Sequence, residues 1–407
     1  MALVVGRGPG GRLEMTDGLS KLKSYVIVTH FQVDGGPQEL ARYIQTLPDC
    51  GSLTIISHPL EPRGGSAHTF SRMLPFVSGR SSQIQRSARC FGNGVPEFIW
   101  TVILTLYWLM YHRIDVAFGA NCLNVLPLIM LKKIGYVDKV VYYCIDFVPK
   151  RFENNILNNI YHLVEKFAVE KADVVWNLSS AMVAGREARG YPVELKAKQI
   201  TVPIGIYFEP EKLSGARCVN NHLFVYVGML VRKQGIFEII DAFSRVAYYF
   251  PDSRLRLIGD GIDRMELERR VDELGLGSRV EFCGMVTDRK KVVELLREGS
   301  VGLAPYRTAS NNFSHFADPT KFKDYLMAGL PIIFTRVSVF AEKLIDSRSG
   351  ILVRDHYRSI SDAMLLFTMF PEYRLKCAMN GRSLAIEAQW INIFSEAFND
   401  LRLRKKT

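Results

Sequence analysis

The sequence predicts an α/β protein with two doubly wound, Rossmann-like domains that face each other across a cleft. Short β-branched or aromatic runs alternate with segments of helical period, which is typical of parallel sheets covered on both faces. This alternation occurs twice, on either side of a polar stretch without periodicity at 208–222. The chain length of 407 residues also exceeds what one hydrophobic core usually organises.

Each half of the chain contains its own series of predicted strands, and helices fill the gaps. In the first half the predicted strands are 25–31, 53–57, 115–120, 140–146, 173–179 and 199–205. In the second half they are 223–229, 254–260, 279–285, 301–306, 331–335 and 350–353. We therefore expect a loose tail at 1–20, a first domain at 21–208, a second domain at 209–385 and a final amphipathic helix within 386–407.

Composition limits the class of protein. The seven cysteines are scattered and never form a Cys-x-x-Cys pair, which favours a reducing, cytoplasmic compartment and a packing role. The opening residues lack the apolar centre of a secretory signal. The longest uncharged apolar stretch, Phe98 to Tyr111, has 14 residues, whereas a spanning helix needs about 20. It is expected to be a buried or an interfacial helix.

The charge balance suggests an anionic partner, because 52 Lys and Arg against 41 Asp and Glu give a net charge of +11. Nucleic acid is not expected, since zinc-finger spacings and RNA-binding strand motifs are missing. Arginines without acids, including Arg63, Arg72 and Arg80, alternate with apolar residues between Glu61 and Glu97. This segment and Trp100 are predicted to face an anionic membrane or the acceptor. An ordinary solvated basic loop is the equal alternative.

One stretch, "HFADPTKFKDYLMAGLPIIFT" at 315–335, concentrates polar chemistry at a helix start. Asp318 is predicted to be the N-cap of a helix that runs from Pro319 to Ala328 and stops at Gly329. Lys321 and Asp324 are three residues apart, on a face predicted to open toward the strand ends. The helix start and Lys321 suit a phosphate, and Asp324 suits a ribose diol. The alternative is a surface Lys–Asp pair.

Two glycine loops are predicted at the same sheet edge. "YVGMLVRKQG" and "LIGDG" each follow a strand, and glycine lets a backbone approach a ligand closely. Arg264 stands where a dinucleotide fingerprint requires its third glycine, so a nicotinamide enzyme is a poor fit. The ligand-facing candidates in these loops are Gly228, Arg232, Lys233, Gly259 and Gly261.

These motifs, together with "FCGMV", "LAPY" and "PTKFKDYLMAGLPII", resemble the donor domain of a family 4 glycosyltransferase of the GT-B architecture across residues 223–353. In the first half, "HFQVDGGPQELARYI", "VVYYCIDFVPKRF" and "ADVVWNLS" are similar to a subset used in cell-surface polysaccharide or glycolipid assembly. The resemblance implies sugar transfer from a nucleotide-diphosphate donor with retention at the anomeric carbon, without a metal or other cofactor. It also implies that the last helix crosses back to the first domain.

The resemblance assigns roles residue by residue. Asp324 matches the acid that holds the ribose, and Lys321 belongs to the same Pro-x-Lys segment. The backbone from Ala317 to Thr320 is expected to meet sugar and phosphates, with Tyr306 nearby at the end of "LAPY".

The sequence also departs from the family pattern. The family's Glu-x7-Glu becomes Phe316 and Asp324, and Asp318 is the alternative for the missing sugar contact. The phosphate-binding Arg and Lys of the first donor loop fall on Met229 and Gln234, for which Arg232 and Lys233 are expected to compensate.

The first half supplies the acceptor side. Gly35, Gly36 and Pro37 start a helix whose free N–H groups are expected to point across the cleft at the donor phosphates. Asp146 ends a predicted strand and is the candidate to bind or deprotonate the acceptor hydroxyl, unless it only caps a turn. His30 is the competing candidate. Asp146, Lys321 and Asp324 are thus the predicted catalytic group.

Together these observations predict transfer of a sugar to a lipid-linked or growing glycan at the inner face of the cell membrane. The expected partners are a nucleotide sugar, the acceptor and an anionic membrane surface. A sugar-nucleotide epimerase of the same architecture and a non-catalytic sugar-nucleotide-binding protein remain the alternatives.

Overall fold

The computed structural model describes residues 22–30, 35–58, 70–77, 80–81, 86–89, 95–209, 222–308 and 315–404. These residues form two α/β domains, each organised around one sheet. Each predicted strand is present, and the predicted fold class is confirmed.

The first domain contains a nine-stranded sheet in the order β4-β3-β2-β1-β6-β7-β8-β9, with β5 paired to β3. Its strands are β1 Lys23–Thr29, β2 Cys50–Ser57, β3 Phe70–Val77, β4 Arg80–Ser81, β5 Arg86–Arg89, β6 Ile114–Ala120, β7 Val137–Cys144, β8 Val174–Asn177 and β9 Gln199–Thr201. Its helices are α1 Gly36–Thr46, α2 Val95–Leu109, α3 Cys122–Lys133, α4 Asn155–Lys171 and α5 Ala181–Glu187.

The central strands of this sheet are parallel and apolar on both faces. Val26, Ile27 and Val28 of β1 are all buried, as are Val140 and Val141 of β7. Such double burial is what helices on both faces of a parallel sheet produce.

The described part of the arginine-rich segment between residues 63 and 95 contains strands that the sequence analysis did not predict. Its described part forms β3, β4 and β5, which extend the sheet by antiparallel pairing with β2. Met73 is buried on this extension, and its neighbour Arg72 is half-buried. A solvated loop is therefore wrong for these strands. Arg63 lies outside the described residues.

The second domain contains a parallel sheet in the order β12-β11-β10-β13-β14-β15. Its strands are β10 Leu223–Val227, β11 Arg254–Ile258, β12 Val280–Gly284, β13 Val301–Ala304, β14 Ile332–Phe334 and β15 Gly350–Leu352. Its helices are α6 Ile236–Tyr249, α7 Arg264–Glu273, α8 Arg289–Arg297, α9 Thr320–Ala328, α10 Phe340–Ser347, α11 Tyr357–Met369 and α12 Pro371–Glu387. The strand order reverses between β10 and β13, where doubly wound sheets bind ligands.

Two chain segments cross between the domains side by side. Ile206 and Gln389 form a parallel bridge, in which the Ile206 amide donates to the carbonyl oxygen of Ala388 at 2.9 Å. Beyond the bridge, α13 Trp390–Leu403 returns to the first domain. Its aromatic residues Trp390, Phe394 and Phe398 pack in the first-domain core. The predicted return of the last helix is confirmed.

Candidate active site

The glycine loops after β10 and β11 lie against each other at the carboxyl edge of the second sheet. Gly228 and Gly259 have φ angles of +139° and +141°, which glycine tolerates far better than other residues. A Cβ atom on Gly259 would lie 1.9 Å from the carbonyl oxygen of Gly228, and one on Gly261 would lie 2.3 Å from that of Leu230. The close packing of the two loops thus explains why positions 259 and 261 require glycine.

The helix predicted from Pro319 begins at Thr320, and its N-cap residue is Pro319 rather than Asp318. The predicted N-cap is therefore wrong by one residue. The helix ends as predicted, because Gly329 adopts the left-handed conformation with φ of +74°. Thr320 is exposed at the helix start, where backbone N–H groups and the helix dipole favour an anion.

Asp318 binds the first domain instead. Its carboxylate accepts a hydrogen bond from the Ile204 amide at 2.6 Å and forms a buried ion pair with Lys323. Lys323 also donates to the carbonyl oxygen of Ile204. Asp318, the alternative for the missing sugar contact, thus makes an interdomain contact instead. A buried ion pair requires further hydrogen bonds, and Ile204 supplies them to both Asp318 and Lys323.

Lys321 reaches the strand ends, as predicted, but it is buried. The residue is 5% exposed, and its Nζ donates to Oε1 of Gln234 at 2.8 Å. The same Nζ lies 4.1 Å from the ring centroid of Tyr226 and 4.5 Å from that of Tyr306. Burial lowers the pKa of Lys321 to about 7. Nζ of Lys321, which belongs to α9, therefore contacts the first glycine loop at Gln234, the position where the resembled family has a lysine.

Asp324 is also buried, which excludes the alternative of a surface Lys–Asp pair. Its carboxylate accepts from Nη2 of Arg289 at 3.0 Å, and burial raises its pKa in spite of that guanidinium. Arg289 is the first residue of α8, so its approach to Asp324 depends on tertiary structure. Sequence reasoning missed Arg289 because 35 residues separate the pair.

The two basic residues expected to compensate for the missing loop cations differ in their surroundings. The Arg232 guanidinium lies 4.0 Å from the ring centroid of Phe237 and pairs with Glu266 at 2.7 Å. These contacts hold Arg232 against α6 and α7. Partial burial lowers the pKa of Lys233. Lys321, rather than Arg232, is the cation beside Gly228, because a Cβ atom there would lie 3.3 Å from Nζ.

The first-domain wall of the cleft contains the predicted Gly-Gly helix start. Gly35 is the extended N-cap of α1, and Pro37 follows within the first turn, as predicted. A Cβ atom on Gly36 would lie 2.5 Å from Oη of Tyr143. The Tyr143 hydroxyl is buried and has no hydrogen-bond partner among the described residues. Burial, and then Asp318, raise the pKa of Tyr143, which was missed as a site residue.

The acceptor-side candidates lie beyond β1 and β7. Asp146 comes two residues after β7 ends and is partly exposed, and its carboxylate pairs with Arg151 at 2.6 Å. His30 directly follows β1 and is 7% exposed, and neither ring nitrogen has a partner among the described residues. Burial, and then the Arg151 charge, lower the pKa of His30 to about 4. His30 is thus a neutral imidazole at physiological pH.

Phe316 stands where the family has its first glutamate and docks on the first domain. Its ring meets that of Phe147 edge to face at 5.4 Å, and its carbonyl oxygen accepts from Ser179 Oγ at 2.6 Å. An aromatic contact of this kind contributes about 0.5–1.5 kcal/mol beyond burial. The position thus links the two domains.

A cavity of about 930 Å³ lies where the chain crosses between the domains. It is lined by Ile204, Asp318 and Lys343 among others, and Lys321 does not line it. Among the described residues, no three His, Cys, Asp or Glu side chains are grouped to hold a metal, and no helix is long and apolar enough to cross a bilayer. Trp100 is half-buried on α2, and Arg80 belongs to β4.

Comparison with known proteins supports the resemblance. Residues 221–367 match the family model of Glycosyl transferases group 1. A GDP-mannose-dependent alpha-(1-6)-phosphatidylinositol dimannoside mannosyltransferase of Mycobacterium tuberculosis is 29% identical over 192 residues, which cover 44% of this chain and 46% of the relative. The chain thus matches about half the length of this curated relative.

Solved structures support the two-domain fold over the whole chain. Sucrose-phosphate synthase from Thermosynechococcus elongatus aligns with a TM-score of 0.68 and 15% identity, covering 94% of this chain and 99% of the other. The Anabaena HepE protein in complex with UDP-glucose aligns with a TM-score of 0.64 and 16% identity, covering 94% and 100%. At this identity the likeness shows the fold.

Proposed function

We propose that this chain, whose residues 221–367 match the family model of Glycosyl transferases group 1, transfers a sugar from a nucleotide-diphosphate donor to a lipid-linked or growing glycan acceptor. The observation that carries the proposal is the place of the Lys321 ammonium group. It lies at the end of β10, beside Gly228 and at the start of α9. A cation, a glycine turn and a helix start together suit a pyrophosphate.

Lys321 takes over the task that the altered first loop has lost. Met229 and Gln234 carry no charge, but the Gln234 amide oxygen accepts from Nζ of Lys321 at 2.8 Å. The cation is thus delivered to this loop from α9. As the bond between sugar and diphosphate breaks, negative charge grows on the leaving phosphate, and a fixed cation stabilises it. Asp324, oriented by Arg289, is assigned to the ribose hydroxyls.

The acceptor hydroxyl is assigned to the first-domain side of the cleft. His30 offers a neutral imidazole whose two nitrogens have no partner within the described part of the chain, whereas Asp146 is already paired with Arg151. A neutral imidazole can accept a hydroxyl proton, which favours His30 over Asp146. The names of the relatives support a nucleotide sugar as donor, since one uses GDP-mannose and another was solved with UDP-glucose.

The donor is tested by thermal shift with GDP-mannose, UDP-glucose and related nucleotide sugars, because a ligand that binds the folded state raises the melting temperature. Lys321→Met is expected to abolish the shift. Lys376→Met, a lysine on α12 with no place in this site, is the matched control. If no nucleotide sugar raises the melting temperature of the unaltered chain, the donor assignment fails.

The reaction is tested by nucleotide release with and without a glycolipid or glycan acceptor. Transfer requires both substrates, epimerisation requires the donor alone, and a binding protein releases no nucleotide. The binding-only alternative has one observation in its favour, because Phe316 packs on Phe147 where the family has an acid. We expect nucleotide release that depends on the acceptor and persists in EDTA. The transferred sugar is expected to keep the anomeric configuration that it has in the donor.

The membrane location is part of the same proposal. A lipid-linked acceptor is confined to a bilayer, so the enzyme must work at its surface, and the net charge of +11 favours an anionic inner leaflet.

A further inference from the structure

Two helices of the first domain expose stripes of apolar side chains. On α2, Ile99, Ile103 and Tyr107 follow one another at four-residue spacing and are 50–57% exposed. On α4, Ile160 and Leu163 are 51% and 66% exposed. Large apolar side chains occur singly on most soluble domains, and ordered stripes of them mark contact surfaces.

The stripes are joined into one surface by α3, which packs between α2 and α4. A groove of about 310 Å³ runs across the three helices, and every described residue that lines it is apolar. Its lining includes Ile103 from α2, Met130 from α3 and Phe167 from α4. The outer sides of α2, α3 and α4 are therefore one continuous apolar surface, called here the helical face.

The exposed charges at the border of the helical face are basic, and the acid beside them, Glu170 of α4, is half-buried and pairs with Lys166 at 4.0 Å. After the buried Glu97, neither α2 nor α3 contains an acidic residue. Lys133 and Lys171 are exposed at its border, and Nζ of Lys133 lies 5.9 Å from the ring centroid of Phe167. Lysines and amphipathic aromatic rings around an apolar centre are typical of surfaces that lie in the head-group region of a bilayer.

The charge pattern also decides between the possible occupants. A second copy of the chain would bring the same lysines together across an isologous contact. Anionic head groups instead neutralise them, at about 1 kcal/mol per basic residue near the surface. We propose that the helical face docks on an anionic lipid bilayer and inserts Ile103, Ile160 and Leu163 into it.

This docking deepens the proposed function, on which it rests for the lipid-linked acceptor. The start of α4 lies next to the acceptor side, because the Arg151 amide donates to Oδ1 of Asn158 at 2.8 Å and the Arg151 guanidinium pairs with Asp146. The end of the helical face that the start of α4 forms is therefore near Asp146, whereas Lys133 and Lys171 lie at the other ends of α3 and α4. The arginine-rich strands β3 to β5 are not needed for this contact.

The test is co-sedimentation of the full chain with phosphatidylcholine vesicles that contain or lack phosphatidylglycerol. Ile103→Glu together with Leu163→Glu is expected to weaken binding by roughly a hundredfold, since each exposed apolar side chain contributes about tenfold or more. Lys133→Glu with Lys171→Glu is expected to weaken binding only to the anionic vesicles. Tyr248→Glu, at an 82% exposed apolar position on the second domain, is the control and is expected to bind as the unaltered chain does.

The proposal is overturned if the unaltered chain ignores anionic vesicles at low salt, or if the control loses as much binding as the Ile103 and Leu163 variant. It is also overturned if light scattering shows a dimer that this variant dissolves while vesicle binding stays unchanged. Thermal shift with nucleotide sugars, measured without vesicles, separates the two proposals. If the unaltered chain responds to nucleotide sugars but does not bind anionic vesicles, the docking alone is refuted. If it binds these vesicles but shows no nucleotide response, the donor assignment alone is refuted.

Discussion

Lys321 makes a quantitative prediction about pH. With a pKa of about 7 in the free protein, the side chain is about one tenth protonated at pH 8. A bound pyrophosphate favours the ammonium form and raises this pKa, so binding takes up a proton. Affinity for a nucleotide sugar should be constant at pH 6 and below, and should fall by up to about tenfold, or 1.4 kcal/mol, per pH unit above 7.

The assay is titration calorimetry at pH 8 in buffers of different ionisation enthalpy, which counts protons taken up per ligand. About 0.9 proton is expected at pH 8 and close to none at pH 6. A nucleotide sugar is the right ligand because both of its phosphates are esterified, whereas a free terminal phosphate would itself titrate near pH 6. Lys321→Met should bind weakly and without proton uptake. Proton uptake that persists in this variant, or that is missing in the unaltered chain, refutes the assignment.

Three further variants test the packing and the acceptor side. Gly36→Ala places a methyl group 2.5 Å from the Tyr143 hydroxyl and should lower the free energy of unfolding by about 1–3 kcal/mol, part of which Tyr143→Phe restores. Glu165→Ala leaves the fully buried Arg186 without the carboxylate 2.8 Å away and should cost about 3–5 kcal/mol in chemical denaturation. His30→Phe should slow acceptor-dependent nucleotide release without changing donor affinity, and in the unaltered chain the rate should fall with acid only as pH approaches 4, where His30 becomes charged.

Exposed counterparts serve as controls for these variants. Glu153→Ala removes an acid whose pair with Lys150 is exposed to solvent, so it should leave the free energy of unfolding close to that of the unaltered chain. His112→Phe alters an exposed histidine and should leave the rate unchanged. A Gly36→Ala chain as stable as the unaltered one would contradict the packing argument. A His30→Phe chain with full activity would return the acceptor role to Asp146.

The sequence predicted the parallel strands and the end of α9 because their signals are local. Buried strands are continuous apolar runs, and Gly329 supplies the left-handed residue that a helix stop needs. The β3 strand was missed because Pro75 normally argues against a strand, whereas here it lies on an antiparallel extension paired with Thr54. The second-half segments that resemble the glycosyltransferase family lie within the residues that match its model. They did not reveal the contacts at positions where this chain differs from the family, such as Lys321 with Gln234.

The sequence predicted which segments form the candidate site, but it did not predict which side chains contact one another there. A helical period assumes one buried face, but every residue of α9 after the exposed Thr320 is buried, because second-domain side chains such as Tyr226 and Arg289 cover its polar side. The partner of Asp318 is the amide of Ile204, which is 114 residues away in the chain. A polar residue beside a proline predicts a local cap, and only the three-dimensional structure can reveal such a distant partner.

The crossing of α13 has a consequence for synthesis of the protein. Six buried residues of α13, among them Trp390, Phe394 and Phe398, complete a core whose other buried members lie between Tyr25 and Val202 and leave the ribosome before the second domain does. Until those aromatic rings arrive, the nascent first half holds an unfilled apolar hollow on one side of its sheet. The ribosome must therefore synthesise the whole second domain before the core of the first domain can be completed, and a chaperone that binds the exposed apolar surface would protect the chain during this interval.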